Sequence, residues 1–206
     1  MPLSVESTEP GLDHVVLSGG TPSEWLEMSV EQWRSRLRDL ARGAEAEDAS
    51  WITLLPHHGV NLTAVESSQF ESTLLAVGGV EKVTNSASPR LMWTHPKGAR
   101  VIIDPSADGH IRFASTVEAL RLAGVDSKDV TEQMLSHALL HPADIEADLV
   151  LILGSPERIP DSMVWELAYS ELVFIDIAWS DLNASHLELA IDDFNRRHRR
   201  FGGLDS

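Results

Sequence analysis

The sequence predicts an α/β fold: a mostly parallel central sheet flanked by helices, with one antiparallel hairpin. Three observations predict it. Strand-like and helix-like segments alternate along the 206 residues, the pattern of layered α/β proteins. Residues 147–153 form an apolar run interrupted only by Asp148, as expected of a parallel strand buried on both faces. Residues 91–94 and 101–103 are strand-like and joined through His95-Pro96-Lys97-Gly98, a link too short for a parallel crossover, so these two strands must pair antiparallel.

Each element has a local reason. Residues 14–18 read as the first strand, broken by Gly19-Gly20-Thr21-Pro22. A helix starts at Ser29, which makes a capping box with Gln32 while Met28 and Trp33 form the hydrophobic staple. Val30, Trp33, Leu37 and Leu40 line one face of it. Residues 51–55 form the second strand, ended by Pro56. Ser115 with Glu118 caps a helix through Ala123 that Gly124 terminates. A further helix spans 128–140, and the buried strand follows. Residues 163–171 read as helix and 172–177 as strand. The last helix spans 185–199, with Leu187, Ala190, Ile191 and Phe194 as its buried stripe.

Composition sets the class. Residues 12–203 are expected to form one domain, between a flexible segment 1–11 and a tail 204–206. A hydrophobic content of 43% is that of a globular protein, and there is no cysteine for a disulfide or thiolate metal site. No apolar run approaches the ~20 residues that span a bilayer, and residues 1–11 carry no signal-peptide pattern. A cytoplasmic protein is the expectation. The formal net charge of −16 argues against nucleic acid and anionic membrane as general partners. Only residues 196–206 are basic, with four arginines against one aspartate.

Several small constellations have ordinary readings. The adjacent His57 and His58 point to different faces and lack a third ligand nearby in sequence. His137 and His141 have the i, i+4 spacing of a zinc helix, but Pro142 follows at once and the glutamate of that motif is missing. Gly19-Gly20 fits a strand-to-helix turn better than an anion nest. The six tryptophans read as core and interface residues.

Two other stretches carry the functional signal: Trp165-Glu166-Leu167-Ala168-Tyr169-Ser170-Glu171-Leu172, and Arg199-Arg200-Phe201-Gly202-Gly203. Read with Ser155-Pro156-Glu157-Arg158, they resemble the C-terminal third of the cis-prenyltransferases, the undecaprenyl diphosphate synthase family. Those enzymes extend an allylic diphosphate with isopentenyl diphosphate. The resemblance implies the cis-prenyltransferase fold, with a shortened tunnel region between Asn61 and Val101.

It also implies which site residues survive. His14 and Trp25 have the spacing of the His and Trp that frame the family's first motif. Within that frame the catalytic Asp falls on Gly20, and the Gly-Asn-Gly-Arg phosphate loop falls on Thr21, Pro22, Ser23 and Glu24. Glycine cannot hold Mg²⁺, Pro22 lacks an N–H, and Glu24 reverses the charge an anion needs. The family's next Arg and His fall on Trp33 and Leu37. Of Phe-Ser-x-Glu-Asn only Asn61 is kept, and the Tyr-Gly-Gly-Arg region survives as Asp108-Gly109-His110. In the C-terminal motif Ile152 and Pro160 replace the first Arg and last Ser, while Arg158 is kept. Arg158 and Asn61 are thus the diphosphate-binding remnant. Glu171 matches a Mg²⁺-associated Glu that has lost its Asp partner.

The terminal Arg200, Phe201, Gly202 and Gly203 match the motif that crosses the family's dimer interface to help bind isopentenyl diphosphate in the neighbouring subunit. Arg supplies charge and Gly permits close approach. A lost catalytic pocket with an intact tail resembles the non-catalytic subunits of heteromeric cis-prenyltransferases, such as the Nogo-B receptor. It implies a chain silent alone, paired with a catalytic homologue through residues 163–177 and the last helix. Mg²⁺ would sit at the partner's active site, and the pair would lie peripheral to the membrane. Two alternatives stay open: a homodimeric pseudoenzyme with a binding or regulatory role in isoprenoid metabolism, and a divergent prenyltransferase active alone through Arg158, Glu171, Asp108 or the histidines.

Overall fold

The computed structural model describes residues 12–45, 49–143, 145–168 and 170–201. They form a seven-stranded sheet in the order β3-β4-β5-β2-β1-β6-β7. The strands are β1 (His14–Ser18), β2 (Trp51–Leu55), β3 (Val80–Lys82), β4 (Leu91–Thr94), β5 (Arg100–Ile103), β6 (Leu149–Leu153) and β7 (Glu171–Ile175). β5, β2, β1, β6 and β7 run parallel. β3, β4 and β5 form an antiparallel meander, with Leu91 opposite Ile103 and Val80 opposite Trp93. The expected hairpin therefore carries a third strand. That strand is three residues long, two of them charged, and too short to register as a pattern.

The helices are α1 (Pro22–Glu27), α2 (Val30–Glu45), α3 (Ala64–Leu75), α4 (Gly109–Leu122), α5 (Glu132–Leu140) and α6 (Ala184–Phe201). The Ser29–Gln32 capping box of α2 is formed in both directions, the Ser29 N–H donating to Gln32 at 2.8 Å and the Gln32 N–H to Ser29 Oγ at 3.3 Å. α1 and α3 were not read from the sequence, yet each opens with a capping box, Thr21 with Glu24 and Thr63 with Glu66. α4 begins two turns before the expected Ser115 cap, because Asp108 accepts the N–H groups of His110 and Ile111 and caps it there. α5 starts after Thr131, the preceding residues forming only a short 3₁₀ turn.

Residues 163–171 are not helical: 161–168 form successive turns, and strand β7 already begins at Glu171. The side chains of this stretch are claimed by α4 and α5, as described below, and that tertiary hold overrides the helical spacing.

The central parallel strands β1, β2 and β6 bury both faces, as their lack of alternation requires. On one face Val15, Leu17, Ile52, Leu54, Val101, Ile103, Leu149 and Leu151 meet Trp33, Leu37 and Leu40 of α2 and Leu187, Ile191 and Phe194 of α6. The other face is smaller and more polar. Val16, Leu55, Val150 and Ile152 pack against Ala147 and Met163, beside a buried ion network of Arg90, Asp104, Arg112 and Glu166. No helix among the described residues is long and apolar enough to cross a membrane.

Candidate functional site

The sheet order fixes where a ligand site belongs. β1 lies between β2 and β6, and the chain leaves it first towards β2 and only later returns to β6. Such reversals open a crevice beyond the carboxyl ends of the strands. Here those ends are Ser18-Gly19-Gly20 and Leu153-Gly154.

The crevice is filled. A Cβ on Gly20 would lie 2.9 Å from Cγ of Trp179 and 2.9 Å from Nε1 of Trp25, and a Cβ on Gly19 would lie 2.7 Å from Leu153. Gly20 also has a φ of +69°, which side-chain-bearing residues rarely adopt. The indole of Trp179 therefore occupies the volume that a side chain at position 20 would need. Trp179 belongs to an aromatic cluster, 5.7 Å from Trp25, which in turn lies 5.7 Å edge-on to Trp33 and 6.3 Å from Phe70. Its polar edges are matched: Trp25 donates to the Gly19 carbonyl at 3.0 Å, Trp33 to the Trp25 carbonyl at 3.2 Å, and Trp179 to the Met28 sulfur at 3.4 Å.

Arg36 closes the plug from outside. Its guanidinium lies 4.3 Å from the centre of the Trp179 ring, a cation–π contact. It donates to the carbonyls of Trp179, Ser180 and Leu182. Burial lowers its pKa, and Asp39 and Asp181 oppose that shift. The cation is thus spent on backbone oxygens. Beside it lies a cleft of about 470 Å³ whose charged lining otherwise consists of Glu24, Glu27 and Asp39.

The loop after Gly20 is spent in the same way. Glu24 accepts the Thr21 N–H at 2.8 Å and the Thr21 hydroxyl at 3.0 Å, while Thr21 Oγ1 accepts the Glu24 N–H at 3.2 Å. Pro22 has no N–H to offer. The start of α1 carries its own carboxylate where a bound anion would otherwise be held. Glu24 is therefore more than a reversed charge. The signal was present in the sequence as Thr-Pro-Ser-Glu, a cap pattern with Pro at the first helical position.

Residues 57 and 58 follow β2 at the same edge. The His57 N–H donates to the Gly20 carbonyl at 2.8 Å, and the ring lies 5.3 Å from that of His58. Burial lowers the His57 pKa, and His58 and Arg158 add to the shift against Asp161. Arg158 stands exposed in the loop after β6. Asn61 is a structural brace, its carbonyl accepting the Ala107 N–H at 2.7 Å. The structure thus brings Arg158 and His57 near one another, with Asn61 further along the same loop.

Glu171 lies elsewhere. It opens β7, paired in register with Leu149 at the start of β6, and so sits at the amino end of the strands, opposite Gly20 and Arg158. Arg197 approaches it at 3.4 Å. No group of three His, Cys, Asp or Glu among the described residues could hold a metal ion. The donor set at Gly19-Gly20 does not fit Mg²⁺. Arg200 and Phe201 lie in the last turn of α6, and Gly202 and Gly203 lie outside the described residues. Neither the plug formed by Trp179 nor Arg36 was singled out from the sequence, since nothing local marks one tryptophan among six as the residue that meets Gly20.

Comparison with known proteins adds an independent line. The model of a prenyltransferase family described as "Putative undecaprenyl diphosphate synthase" matches residues 97–202, just over half of the chain. The chain is 42% identical over 94 residues to a ditrans,polycis-undecaprenyl-diphosphate synthase of Lactiplantibacillus plantarum, covering 45% of this chain and 36% of that one. It is 29% identical over 161 residues to an isoprenyl transferase of Staphylococcus saprophyticus, covering 74% of this chain and 60% of that one. The matched segments thus span less than two thirds of either relative. A probable undecaprenyl diphosphate synthase from Campylobacter jejuni shares the fold at a TM-score of 0.57 and 13% identity, covering 94% of this chain and all of the other. The lavandulyl diphosphate synthase of Lavandula x intermedia does so at 0.55 and 10%, covering 88% and 94%. The Gly20 loop lies outside the segment that the family model matches.

Proposed function

The chain belongs to the undecaprenyl diphosphate synthase family of prenyltransferases, and on that premise we propose that it is the non-catalytic accessory subunit of a heteromeric cis-prenyltransferase. In this reading a homologue with the complete Asp-Gly-Asn-Gly-Arg-Trp motif supplies the active site and its Mg²⁺. This chain supplies Arg200, Phe201, Gly202 and Gly203 in trans to the isopentenyl diphosphate held there.

The observation that carries the reading is the filled crevice. Trp179 lies against Gly20 and Glu24 occupies the start of α1, so this chain has neither the space nor the donors for an allylic diphosphate at that place. The charge around it is repulsive. The C-terminal segment, by contrast, keeps the family pattern through Arg200-Phe201-Gly202-Gly203. An arginine beside a glycine backbone N–H is a strong diphosphate donor in any subunit it can reach.

The edges of the sheet favour association on one side. β3 is short and charged, a blunted edge. β7 is a five-residue edge strand, Glu-Leu-Val-Phe-Ile, whose apolar side chains stay half-buried except for Val173. This supports β7 and the turns before it as the surface for a partner.

The test is isopentenyl transfer to farnesyl diphosphate with Mg²⁺, comparing the chain alone, the full-motif homologue alone, and the two co-expressed. The expected outcome is turnover by the pair far above either alone. Arg200→Ala should lower turnover of the pair by about 10- to 100-fold, the value of one charge-assisted contact, without dissociating it. Turnover by this chain alone would reject the reading. A stable self-dimer indifferent to the homologue would favour a homodimeric binding protein instead.

A further inference from the structure

The stretch 161–168 is irregular, yet it is held at both ends by α4. The Gly109 N–H donates to the Asp161 carbonyl at 2.9 Å. A Cβ at Gly109 would lie 2.6 Å from the Ser162 carbonyl oxygen, so only glycine lets the stretch approach this closely. Phe113 stacks on Trp165 at 6.0 Å with the planes 21° apart. Trp165 donates to Ser136 Oγ of α5 at 2.9 Å, and Ser136 donates to Glu146 at 2.6 Å.

Arg112 does more than any of these. One of its terminal nitrogens donates both to the Ser162 carbonyl at 3.0 Å and to Glu166 at 2.6 Å. Its other terminal nitrogen lies 3.9 Å from Asp104. Asp104 is itself held by Arg90 at 2.7 Å and Ser88 at 2.9 Å. One guanidinium therefore ties two points of the stretch to the loop that leaves β5. Arg112 and Glu166 are both nearly fully buried, at 3% exposure each. Removing one partner would strand the other charge, which is why such pairs hold geometry even where their net contribution to stability is small. The residues that point inward from the stretch are Ser162, Met163 and Glu166, while Val164 faces solvent at 37% exposure.

We propose that Arg112 is a positioning residue for assembly: by clamping Ser162 and Glu166 it fixes the turns that lead into edge strand β7, and so sets the surface on which the catalytic homologue docks. The assembly role rests on the accessory-subunit reading; the clamp on the stretch does not.

The experiment uses the full chain with Arg112→Lys, which keeps the charge but loses the planar fork, and Glu166→Gln, which keeps the shape but not the charge. Hydrogen exchange on the chain alone should speed up about tenfold or more at residues 161–175 while β1 and β2 keep their protection. The dissociation constant for the full-motif homologue, measured on the same variants, should rise about tenfold. Exchange that rises equally across the sheet would make Arg112 a general stability residue and overturn the proposal. So would unchanged exchange, or local loosening with unchanged affinity. If the wild-type chain does not pair at all, the accessory-subunit reading falls and the assembly role with it, while the exchange data still decide the clamp.

Discussion

The two ends of the parallel sheet hold opposite kinds of surface. At the carboxyl ends of β1 and β6 the groups around Gly20 are taken up by the chain itself, while Arg158 stands exposed. Trp179 fills the space over Gly20, Arg36 is spent on three carbonyls, and Glu24 satisfies the start of α1. Along β7 the same sheet ends in a half-buried edge strand, followed along the chain by a helix with arginines near its end. The first region is core. The second is a half-buried edge strand. The difference teaches that one sheet can close the crevice at its strand ends with aromatic side chains while leaving an edge strand half-buried, because burying aromatic area stabilises wherever the packing allows it.

The sharpest way to break this contrast is Trp179→Ala. If the crevice is core, removing a residue only 6% exposed should destabilise the fold by about 3–5 kcal/mol, measured by urea denaturation. A well-folded variant that gains pyrophosphate binding would show a masked site instead. Gly20→Asp comes next. It returns a carboxylate to the crevice, but at a φ of +69° and into contact with Trp179 and Trp25. It should cost about 2–3 kcal/mol and give no isopentenyl transfer by this chain alone; turnover would show that the crevice still opens.

A pH titration tests the buried ion network that follows β5. Burial pushes the Asp104 carboxyl up, but Arg90 and Arg112, with hydrogen bonds from Ser106 and Arg90, outweigh it and hold the group at about 2. A folded-state pKa below the unfolded value stabilises fully above about pH 4, and the contribution is lost as pH falls through about 2. About 2 kcal/mol should disappear over that window in urea denaturation at stepped pH, and Asp104→Asn should flatten that slope. The smallest effect is Glu24→Ala. Losing half of a capping box should cost about 1 kcal/mol, seen as a small fall in Tm, without restoring diphosphate binding.

Much of this was legible in the chain. The Ser29–Gln32 box, the stripe of α6, the buried run of β6 and the β4–β5 hairpin all depend on residues close in sequence, and all are present in the structure. The boxes at Thr21 and Thr63 were equally local but were overshadowed by the turn and motif around them. The turns at 161–168 were not legible, since their apolar spacing fits a helix and only Gly109, Arg112, Phe113 and Ser136 impose otherwise. The fate of the site divides in the same way. That Gly20 lacks a carboxylate, Pro22 an N–H and Glu24 a positive charge could be read from residue chemistry, but that they stand at a phosphate loop, and that Arg200-Phe201-Gly202 match a terminal motif, came only from the family resemblance.

The sequence by itself determined the layer order, the parallel core strands, the helix caps and the residue types at the crevice, because periodicity, turn chemistry and donor inventory act between neighbours. Only the tertiary structure decided that Trp179 closes over Gly20, that Arg36 seals it, that Glu171 stands at the opposite end of the strands from Arg158, and that Arg112 holds the approach to β7. Those contacts join residues far apart in the chain, and their geometry exists only once the sheet has closed and its two faces are packed.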